Sequence, residues 1–204
     1  MKKLSLITEW SQELQINELN EGKETSLYVT GIFSSHGRRN NNGRVYEEKT
    51  IKREVDKILE KVSKKCLWGE LGHPPNPEIN ASQIALRVES LEWQGQDLYG
   101  KAKILNTPSG KIAQELVREG AIGISSRGLG TVGGDGTVNE DYNLITWDLV
   151  TDPSNSPSWM KGIYEGKTWS MNEAEEILRK MNEQEQTVYS KYITENIKKI
   201  LKSL

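Results

Sequence analysis

Ser125 and His73 are the residues whose types and surroundings best fit catalysis in this chain. Ser125 lies in the run Gly123 to Gly128, and His73 follows Gly69-Glu70-Leu71-Gly72 and precedes two prolines. A serine hydroxyl is a weak nucleophile at neutral pH and needs an imidazole within hydrogen-bond reach to accept its proton. Because the chain has only two histidines, this pair predicts a serine hydrolase with Ser125 as nucleophile and His73 as base.

Such a hydrolase also needs fixed donors for the oxyanion and a group that orients the imidazole. Backbone N–H groups on a glycine-flanked turn after the nucleophile meet the first need, and Ser126, Arg127 and Gly128 are predicted to form that turn. A carboxylate in an apolar strand meets the second. Asp148 is the one charge in the apolar run 144–150, and it is therefore the predicted third member.

Each of these residues also has a purely structural explanation. A Ser-Ser pair between glycines commonly forms a turn, and a histidine before Pro-Pro commonly anchors a loop. Asp148 fits a hydrogen-bonded strand residue equally well. The arginines of the loop before the first helix suit either an acidic substrate or exposure to solvent; they are Arg38, Arg39 and Arg44. Residue types alone leave these alternatives open.

Nucleotide, metal and disulfide chemistry fit the sequence poorly. Gly128-x-Gly130-x-x-Gly133 has dinucleotide-fingerprint spacing, but the residues after it predict a turn between strands where such a site requires a helix. We expect no cofactor and no metal ion. Cys66 is the one cysteine, so there is no internal disulfide, and we expect its side chain to be buried as an apolar residue.

The composition suits one good-sized domain with an appendage. The chain has 204 residues and a formal net charge of −2, which gives no overall attraction to nucleic acid or anionic membranes. No apolar run approaches the ~20 residues that a membrane span needs. We therefore expect a protein that stays in the cytoplasm where it is made.

Periodicity predicts the elements that position these residues. A strand is expected at 27–33 and a loop at 34–43. Apolar residues at helical spacing predict a helix from Thr50 to Lys64. Two strands, at 84–93 and 98–105, are joined by a Gly-containing connection of hairpin length.

A second helix leads toward Ser125. Thr107 and Pro108 are a cap and a first helical residue, and Gly120 ends the helix. Its predicted buried face consists of Ile112, Ala113, Leu116 and Val117. A short apolar strand at 121–124 then delivers Ser125 to its turn. The resulting fold class is α+β, with a mainly antiparallel twisted sheet or small β-barrel flanked by helices.

Both ends of the chain are predicted to differ from this domain. Residues 1–25 are polar and rich in Glu and Asn, which predicts a flexible arm before a domain at 26–168. A helical C-terminal segment at 169–204 follows, with one helix from about Met171 to Asn182 and another from Val188 to Leu204. Their apolar stripes indicate intramolecular packing, with docking to a scaffold or a neighbouring subunit as the alternative.

Three segments together resemble the prohead core proteases of tailed bacteriophages. They are Gly69 to Pro75, Gly123 to Gly130 and Asp148 to Ser154, in the order and spacing of that family. The segment Asn41 to Tyr46 is similar to the family's Asn/Arg-rich segment before the first helix. The resemblance covers roughly residues 27 to 160, and three motifs in register are far more specific than any one of them.

The resemblance implies a fold related to the herpesvirus assembly protease and a maturation endopeptidase. Such enzymes act inside the assembling prohead in the host cytoplasm, where they cleave scaffold, core and major capsid proteins after Glu in an apolar-x-Glu context. We accordingly expect a homo-oligomer with protein substrates, and no nucleic-acid or membrane partner. The alternatives are a catalytically silent core or scaffold component that keeps the fold, and a capsid-binding module.

By motif position the nucleophile is Ser125 and the base is His73. The herpesvirus relatives use a second histidine as third member, whereas His36, the other histidine here, lies in a polar loop. Asp148 therefore remains the prediction. The alternatives for that position are Glu70 and Asp152.

Two further expectations come from the resemblance. Arg127 either holds the acidic side chain of the substrate or shapes the oxyanion turn. Self-cleavage is expected at apolar-x-Glu sequences in the terminal segments, which are commonly accessible. These sequences are Ile7-Thr8-Glu9, Ile16-Asn17-Glu18, Leu19-Asn20-Glu21 and Ile193-Thr194-Glu195.

Overall fold

Antiparallel strands make up most of the protein. The computed structural model describes residues 3–11, 14–21, 24–119, 122–151, 168–170, 172–173 and 175–180. Within these residues the strands are β1 (Lys3–Ser11), β2 (Leu14–Glu21), β3 (Glu24–Ser35), β4 (Val45–Tyr46), β5 (Trp68–Glu70), β6 (Ile84–Gln94), β7 (Asp97–Ile104), β8 (Ile122–Gly130), β9 (Thr137–Val138), β10 (Asn143–Thr151) and β11 (Thr168–Ser170). The α-helices are α1 (Glu48–Ser63) and α2 (Pro108–Arg118), and a 3-10 helix spans Ala81–Gln83.

The strands form two larger sheets and one small pair. One sheet has the order β10-β8-β1-β11, the other has the order β2-β3-β7-β6-β5, and β4 pairs with β9 in parallel. The two sheets adjoin where Leu71 and Leu149 form a parallel bridge. A single bridge does not close a sheet on itself. The α+β class with antiparallel sheets is thus confirmed, whereas the β-barrel alternative is wrong for the described residues.

A continuous apolar core involves residues of both sheets and both helices. The Trp147 side chain lies within it, fully buried, and its Nε1 donates to the Phe33 carbonyl at 2.9 Å. The Phe33 ring packs against the indole with 5.8 Å between centroids. A buried indole needs a partner for its N–H, so this bond fixes how β10 sits against β3.

The two helices predicted before the C-terminal segment are present as α1 and α2. In α1, Ile51, Val55 and Ile58 are buried. In α2, Thr107 Oγ1 accepts a hydrogen bond from the Gly110 N–H at 2.9 Å, which caps the helix as predicted.

The buried face of α2 differs from the predicted one, since Ala113 and Val117 are buried, Leu116 is half-buried and Ile112 is exposed. Ile112 is 58% exposed, because the buried stripe runs through Ser109, Ala113 and Val117 at four-residue spacing. A neighbouring residue along a helix points about 100° away from such a stripe, so Ile112 faces solvent although it is apolar.

The β6–β7 hairpin is also confirmed, and it turns at a glycine. Gln94 pairs with Asp97, and Gly95 between them has φ +63°. This left-handed conformation favours glycine. Cys66 is buried, as expected of an apolar residue.

The chain ends are only partly described. The segment expected to be a flexible arm holds β1, β2 and the start of β3, and β1 pairs with β8 and β11 within a sheet. Residues Leu4, Leu6 and Ile7 of β1 are buried, so tertiary pairing orders a segment whose polar composition suggested otherwise.

At the C-terminal end, residues 172–173 and 175–180 are helical, within the first helix predicted there. The second predicted helix lies outside the described residues. No helix in the described part of the chain combines the length and the apolar character needed to cross a membrane.

Candidate active site

Two of the three predicted catalytic residues face each other across neighbouring strands. Ser125 on β8 pairs directly with Asp148 on β10 in the antiparallel register. Directly opposed side chains lie on the same face of a sheet, about 4.5–5.5 Å apart at Cβ. Neither residue has measurable exposure to solvent. The sheet ladder therefore fixes the separation of the hydroxyl and the carboxylate.

His73 reaches these two residues from the loop that follows β5. Gly72 has φ +82°, a conformation that favours glycine, and its N–H donates to the Leu149 carbonyl at 2.6 Å. The chain is thereby turned back toward β10. His73 Nε2 then lies 2.6 Å from Ser125 Oγ, and Nδ1 lies 2.9 Å from Asp148 Oδ2.

This geometry defines the proton positions that a serine nucleophile requires. With Asp148 ionised, its carboxylate accepts the Nδ1 proton of His73, which leaves Nε2 free to accept the Ser125 hydroxyl proton. Burial acts to raise the pKa of Asp148, but Arg127, the bond to His73 and the Glu70 N–H outweigh burial and hold that pKa below its ordinary value. The three side chains thus have the arrangement of a nucleophile, a base and an orienting carboxylate.

Arg127 lies behind Asp148, fully buried, and contacts two carboxylates. Its Nε is 2.9 Å from Asp148 Oδ2, and its Nη2 is 3.3 Å from Glu70 Oε2. Its Nη1 donates to the carbonyls of Asn76 and Glu78, at 3.0 and 3.4 Å. Arg127 therefore joins the loop that carries His73 to the strand that carries Asp148, and its guanidinium is already occupied by these groups.

Sequence reasoning missed this role of Arg127. A signal was available, because Arg127 follows Ser125 by two residues and such residues share one face of a strand. The turn predicted at 126–128 hid this relation, because a turn would not have placed Arg127 on that face.

The predicted oxyanion turn is wrong. Ser126, Arg127 and Gly128 lie inside β8 and pair with β1 on one side and with β10 on the other. The glycine serves close packing instead: a Cβ added at Gly128 would lie 2.5 Å from the Tyr142 ring. A glycine required by an adjacent aromatic ring resembles, in sequence, a glycine required by a turn.

The alternatives for the third position differ in where they lie. Glu70 contacts Asp148 and Arg127: its N–H donates to Asp148 Oδ1 at 2.9 Å, its carboxylate lies against the Arg127 guanidinium, and the same carboxylate accepts from the Asn80 N–H. Burial raises the pKa of Glu70 despite the opposing charge of Arg127. Asp152 lies outside the described residues.

The remaining predicted candidates lie elsewhere. The His36 ring packs against Trp93 with 5.3 Å between centroids. Arg38 is paired with Asp97, and Arg39 donates to the Asp135 carbonyl at 3.0 Å. In the described part of the chain, no group of three or more His, Cys, Asp or Glu side chains is placed to hold a metal ion.

Comparison with known proteins shows the family to which the chain belongs. The family model of the prohead core protein serine protease matches residues 12–168. The prohead core protein protease of Enterobacteria phage T4 is 35% identical over 184 residues, covering 80% of this chain and 87% of that protein. The solved structure of the bacteriophage T4 capsid assembly protease matches with a TM-score of 0.66 at 32% identity, covering 74% of this chain and 100% of that chain. Since the family model spans most of the sequence, the chain belongs to the prohead core serine proteases of bacteriophages.

Proposed function

We propose that this chain is the maturation endopeptidase of a phage prohead, with Ser125 as nucleophile, His73 as general base and Asp148 as the residue that orients His73. The continuous contact from Ser125 Oγ through the imidazole to the Asp148 carboxylate carries the proposal. A nucleophile, a base and an orienting group within hydrogen-bond reach are the signature of serine catalysis.

The proposed reaction follows from these contacts. Ser125 Oγ attacks the carbonyl carbon of the scissile peptide bond while His73 Nε2 accepts its proton. The imidazolium that forms is stabilised by Asp148, and it then protonates the nitrogen of the leaving chain. Water, deprotonated by His73, then attacks the acyl carbon; as the bond between that carbon and Ser125 Oγ breaks, the His73 imidazolium returns the proton to Oγ. Arg127 keeps Asp148 ionised throughout by lowering its pKa.

The proposed substrates are the scaffold, core and major capsid proteins of the prohead, cleaved after Glu in an apolar-x-Glu context. Family membership supports this substrate class. We place the enzyme, as a homo-oligomer, inside the prohead assembling in the host cytoplasm.

Self-cleavage is part of the proposal, but its sites differ in accessibility. Ile7-Thr8-Glu9 lies in β1, where Ile7 is 1% and Glu9 8% exposed, contrary to the accessibility expected from sequence. Residues 16–18 and 19–21 lie in β2, which is an edge strand among the described strands, and an edge strand can pair with another chain. The site at 193–195 lies outside the described residues. We therefore expect the sites in β2 to be cleaved before the site in β1.

The test is to co-express the full chain with the neighbouring core and capsid proteins and to read all protein termini by mass spectrometry. Wild type and Ser125→Ala are compared. Ser109→Ala is the matched control, because Ser109 is also buried and donates to the Ser82 carbonyl at 3.2 Å, outside the site. We expect new termini after Glu with the wild type and the control only. Identical maps for all three, with each protein folded and incorporated, would point to a silent core component.

A further inference from the structure

β1 lies beside the proposed nucleophile as a bound peptide would. It runs antiparallel to β8, with Glu9 paired to Ser126 and Trp10 paired to Ser125. The Glu9–Trp10 peptide bond is therefore next to Ser125 along the strand. Extended peptides commonly bind proteins by adding a strand to a sheet, and β1 has that geometry here.

Three donors from the segment before α1 surround the Glu9 carboxylate. Asn42 Nδ2 donates to Oε2 at 2.7 Å, and Arg44 Nη1 donates to Oε1 at 3.2 Å. The Tyr46 hydroxyl donates to Oε1 at 3.1 Å. The Glu9 side chain is only 10% exposed. A carboxylate removed from water needs a cation and hydrogen bonds, and this cluster supplies both.

The same cluster also contacts the main chain of β1. Asn42 Nδ2 and Arg44 Nη1 reach the Thr8 carbonyl, at 3.4 and 3.2 Å. The loop that carries these donors is held in shape by its own bonds, because Asn40 Oδ1 accepts from the backbone N–H groups of Asn42 and Arg44, each at 3.0 Å. The donors are thus pre-positioned to bind a main-chain carbonyl of a strand together with the side-chain carboxylate of the next residue.

The segment of β1 that contacts this cluster has the sequence form proposed for substrates. Ile7-Thr8-Glu9 is an apolar-x-Glu sequence, and Ile7 is 1% exposed in the core cluster. Gly130 provides space for it: a Cβ added there would lie 3.3 Å from Ile7 Cδ1. Both residues that define the sequence are therefore bound, the apolar one by the core and the acidic one by the donor cluster.

The proposed catalytic groups are closed to solvent in this arrangement. Ser125 is 0% exposed, and the His73 side chain is 1% exposed. A substrate in solution cannot reach Ser125 until a covering segment leaves. β1 and β10 both pair alongside Ser125, and because β10 carries Asp148, β1 is the neighbour whose departure leaves the proposed triad intact.

We infer that Asn42, Arg44 and Tyr46 form the subsite that binds the glutamate side chain of the substrate, and that β1 occupies this subsite as an intramolecular, substrate-like strand. The inference rests on the proposed protease function and adds to it the residues that select glutamate. Burial raises the pKa of Glu9 although Arg44 and Asn42 oppose the rise. Arg44 and Asn42 therefore favour the ionised carboxylate, which Gln lacks, against the cost of its burial.

Specificity is tested with two fluorogenic peptides that differ at one residue, Ile-Thr-Glu and Ile-Thr-Gln before the scissile bond. In Arg44→Met we expect kcat/KM for the Glu peptide to fall about 10- to 100-fold, the effect of a hydrogen bond to a charged group. The Gln peptide should change much less. Arg38→Met is the matched control, because Arg38 pairs with Asp97 and should leave the Glu/Gln ratio unchanged.

A parallel loss on both peptides would overturn the specificity role, because damage to the fold affects both substrates alike. If Arg44→Met does not fold, Tyr46→Phe carries the test. It removes one hydroxyl donor, and we expect the Glu/Gln ratio to fall about 3- to 10-fold. An unchanged ratio in the folded Tyr46→Phe protein would then reject the subsite.

Occupancy by β1 is tested in the full chain with Glu9→Gln. Gln replaces the oxygen that accepts from Asn42 Nδ2 with an NH2 donor, which weakens the hold on β1. The KM for the Glu peptide should therefore fall about tenfold, whereas the exposed Glu92→Gln on β6 should leave it unchanged. A KM unaffected by Glu9→Gln would show that β1 does not compete.

A binding experiment separates this inference from the protease proposal. Ile-Thr-Glu and Ile-Thr-Gln peptides are titrated calorimetrically into the Ser125→Ala, Glu9→Gln double variant. Suppose that the Glu peptide binds preferentially but that no protein retaining Ser125 cleaves a substrate. This outcome would support the subsite and reject the protease function. Cleavage of core proteins with no Glu preference in binding or turnover would keep the protease and reject the subsite.

Discussion

Arg127→Met should be among the most destabilising single changes in this protein. The Arg127 side chain is 0% exposed and lies between the carboxylates of Asp148 and Glu70, which are 0% and 1% exposed. Methionine fills a similar length but leaves both carboxylates without their cation. Removing one partner of a buried ion pair typically costs about 3–5 kcal/mol, against a total of about 5–15 kcal/mol for a whole domain. We expect the free energy of unfolding to fall by about 3–5 kcal/mol at pH 7.

The pH dependence of this loss has a defined sign. The pKa of Asp148 is below its ordinary value in the folded protein, so its contribution to stability is present above the unfolded pKa and is lost as pH falls through the folded one. Without Arg127, burial is less opposed and the folded pKa rises. The variant should therefore be most destabilised near neutral pH. Its difference from the parent should shrink toward pH ~4, where carboxyl groups begin to protonate.

The measurement is urea unfolding followed by tryptophan fluorescence, in a Ser125→Ala background that prevents self-cleavage. The buried Trp147 makes this emission sensitive to loss of the core. Arg118→Met is the control: the Arg118 and Glu115 side chains are 45% and 75% exposed, so solvent screens the pair and the cost should stay below about 1 kcal/mol. The role given to the buried ion pairs is refuted if Arg127→Met lowers the unfolding free energy no more than the control does. It is also refuted if that loss is the same at pH 4 and pH 7.

Two further predictions concern Asp148 and Gly69. Asp148→Asn should lower turnover of an apolar-x-Glu peptide about 10⁴-fold in the folded protein, because an amide does not hold His73 in the required tautomer; a loss below tenfold would exclude an orienting role. Gly69→Ala should lower the unfolding free energy by about 1–3 kcal/mol, because the added Cβ would lie 2.0 Å from the Trp147 carbonyl oxygen. Gly134→Ala, with nothing within 4 Å, should stay within about 0.5 kcal/mol. Equal melting temperatures for the two glycine variants would contradict this account of Gly69.

Elements with a strong local signal could be predicted from the sequence. The helix at 108–118 is specified by the Thr107 cap and Pro108, and the β6–β7 hairpin by Gly95 between two periodic runs. Ser125, His73 and Asp148 were identified as a set by residue type and motif order, and the fold brings them together. Local chemistry and motif spacing were sufficient in each case.

Features that depend on pairing between distant segments could not be predicted in this way. β1 looks like a polar arm, because its apolar residues face two different clusters and Glu9 interrupts them; Leu4 and Leu6 pack on one side and Ile7 on the other. The run after Ser125 looks like a turn because of its glycines. Only the fold reveals that Gly128 faces the Tyr142 ring.

The connectivity of the four-stranded sheet also limits when the proposed catalytic residues can first come together. β8 lies between β1, which comes from the start of the chain, and β10, which ends at Thr151. Contacts between segments so far apart in sequence form slowly, because long loops must close before the contacts can stabilise them. A chain still being synthesised cannot bring Asp148 to His73 until the residues through β10 have left the ribosome. Synthesis therefore sets the earliest time at which the proposed triad can form.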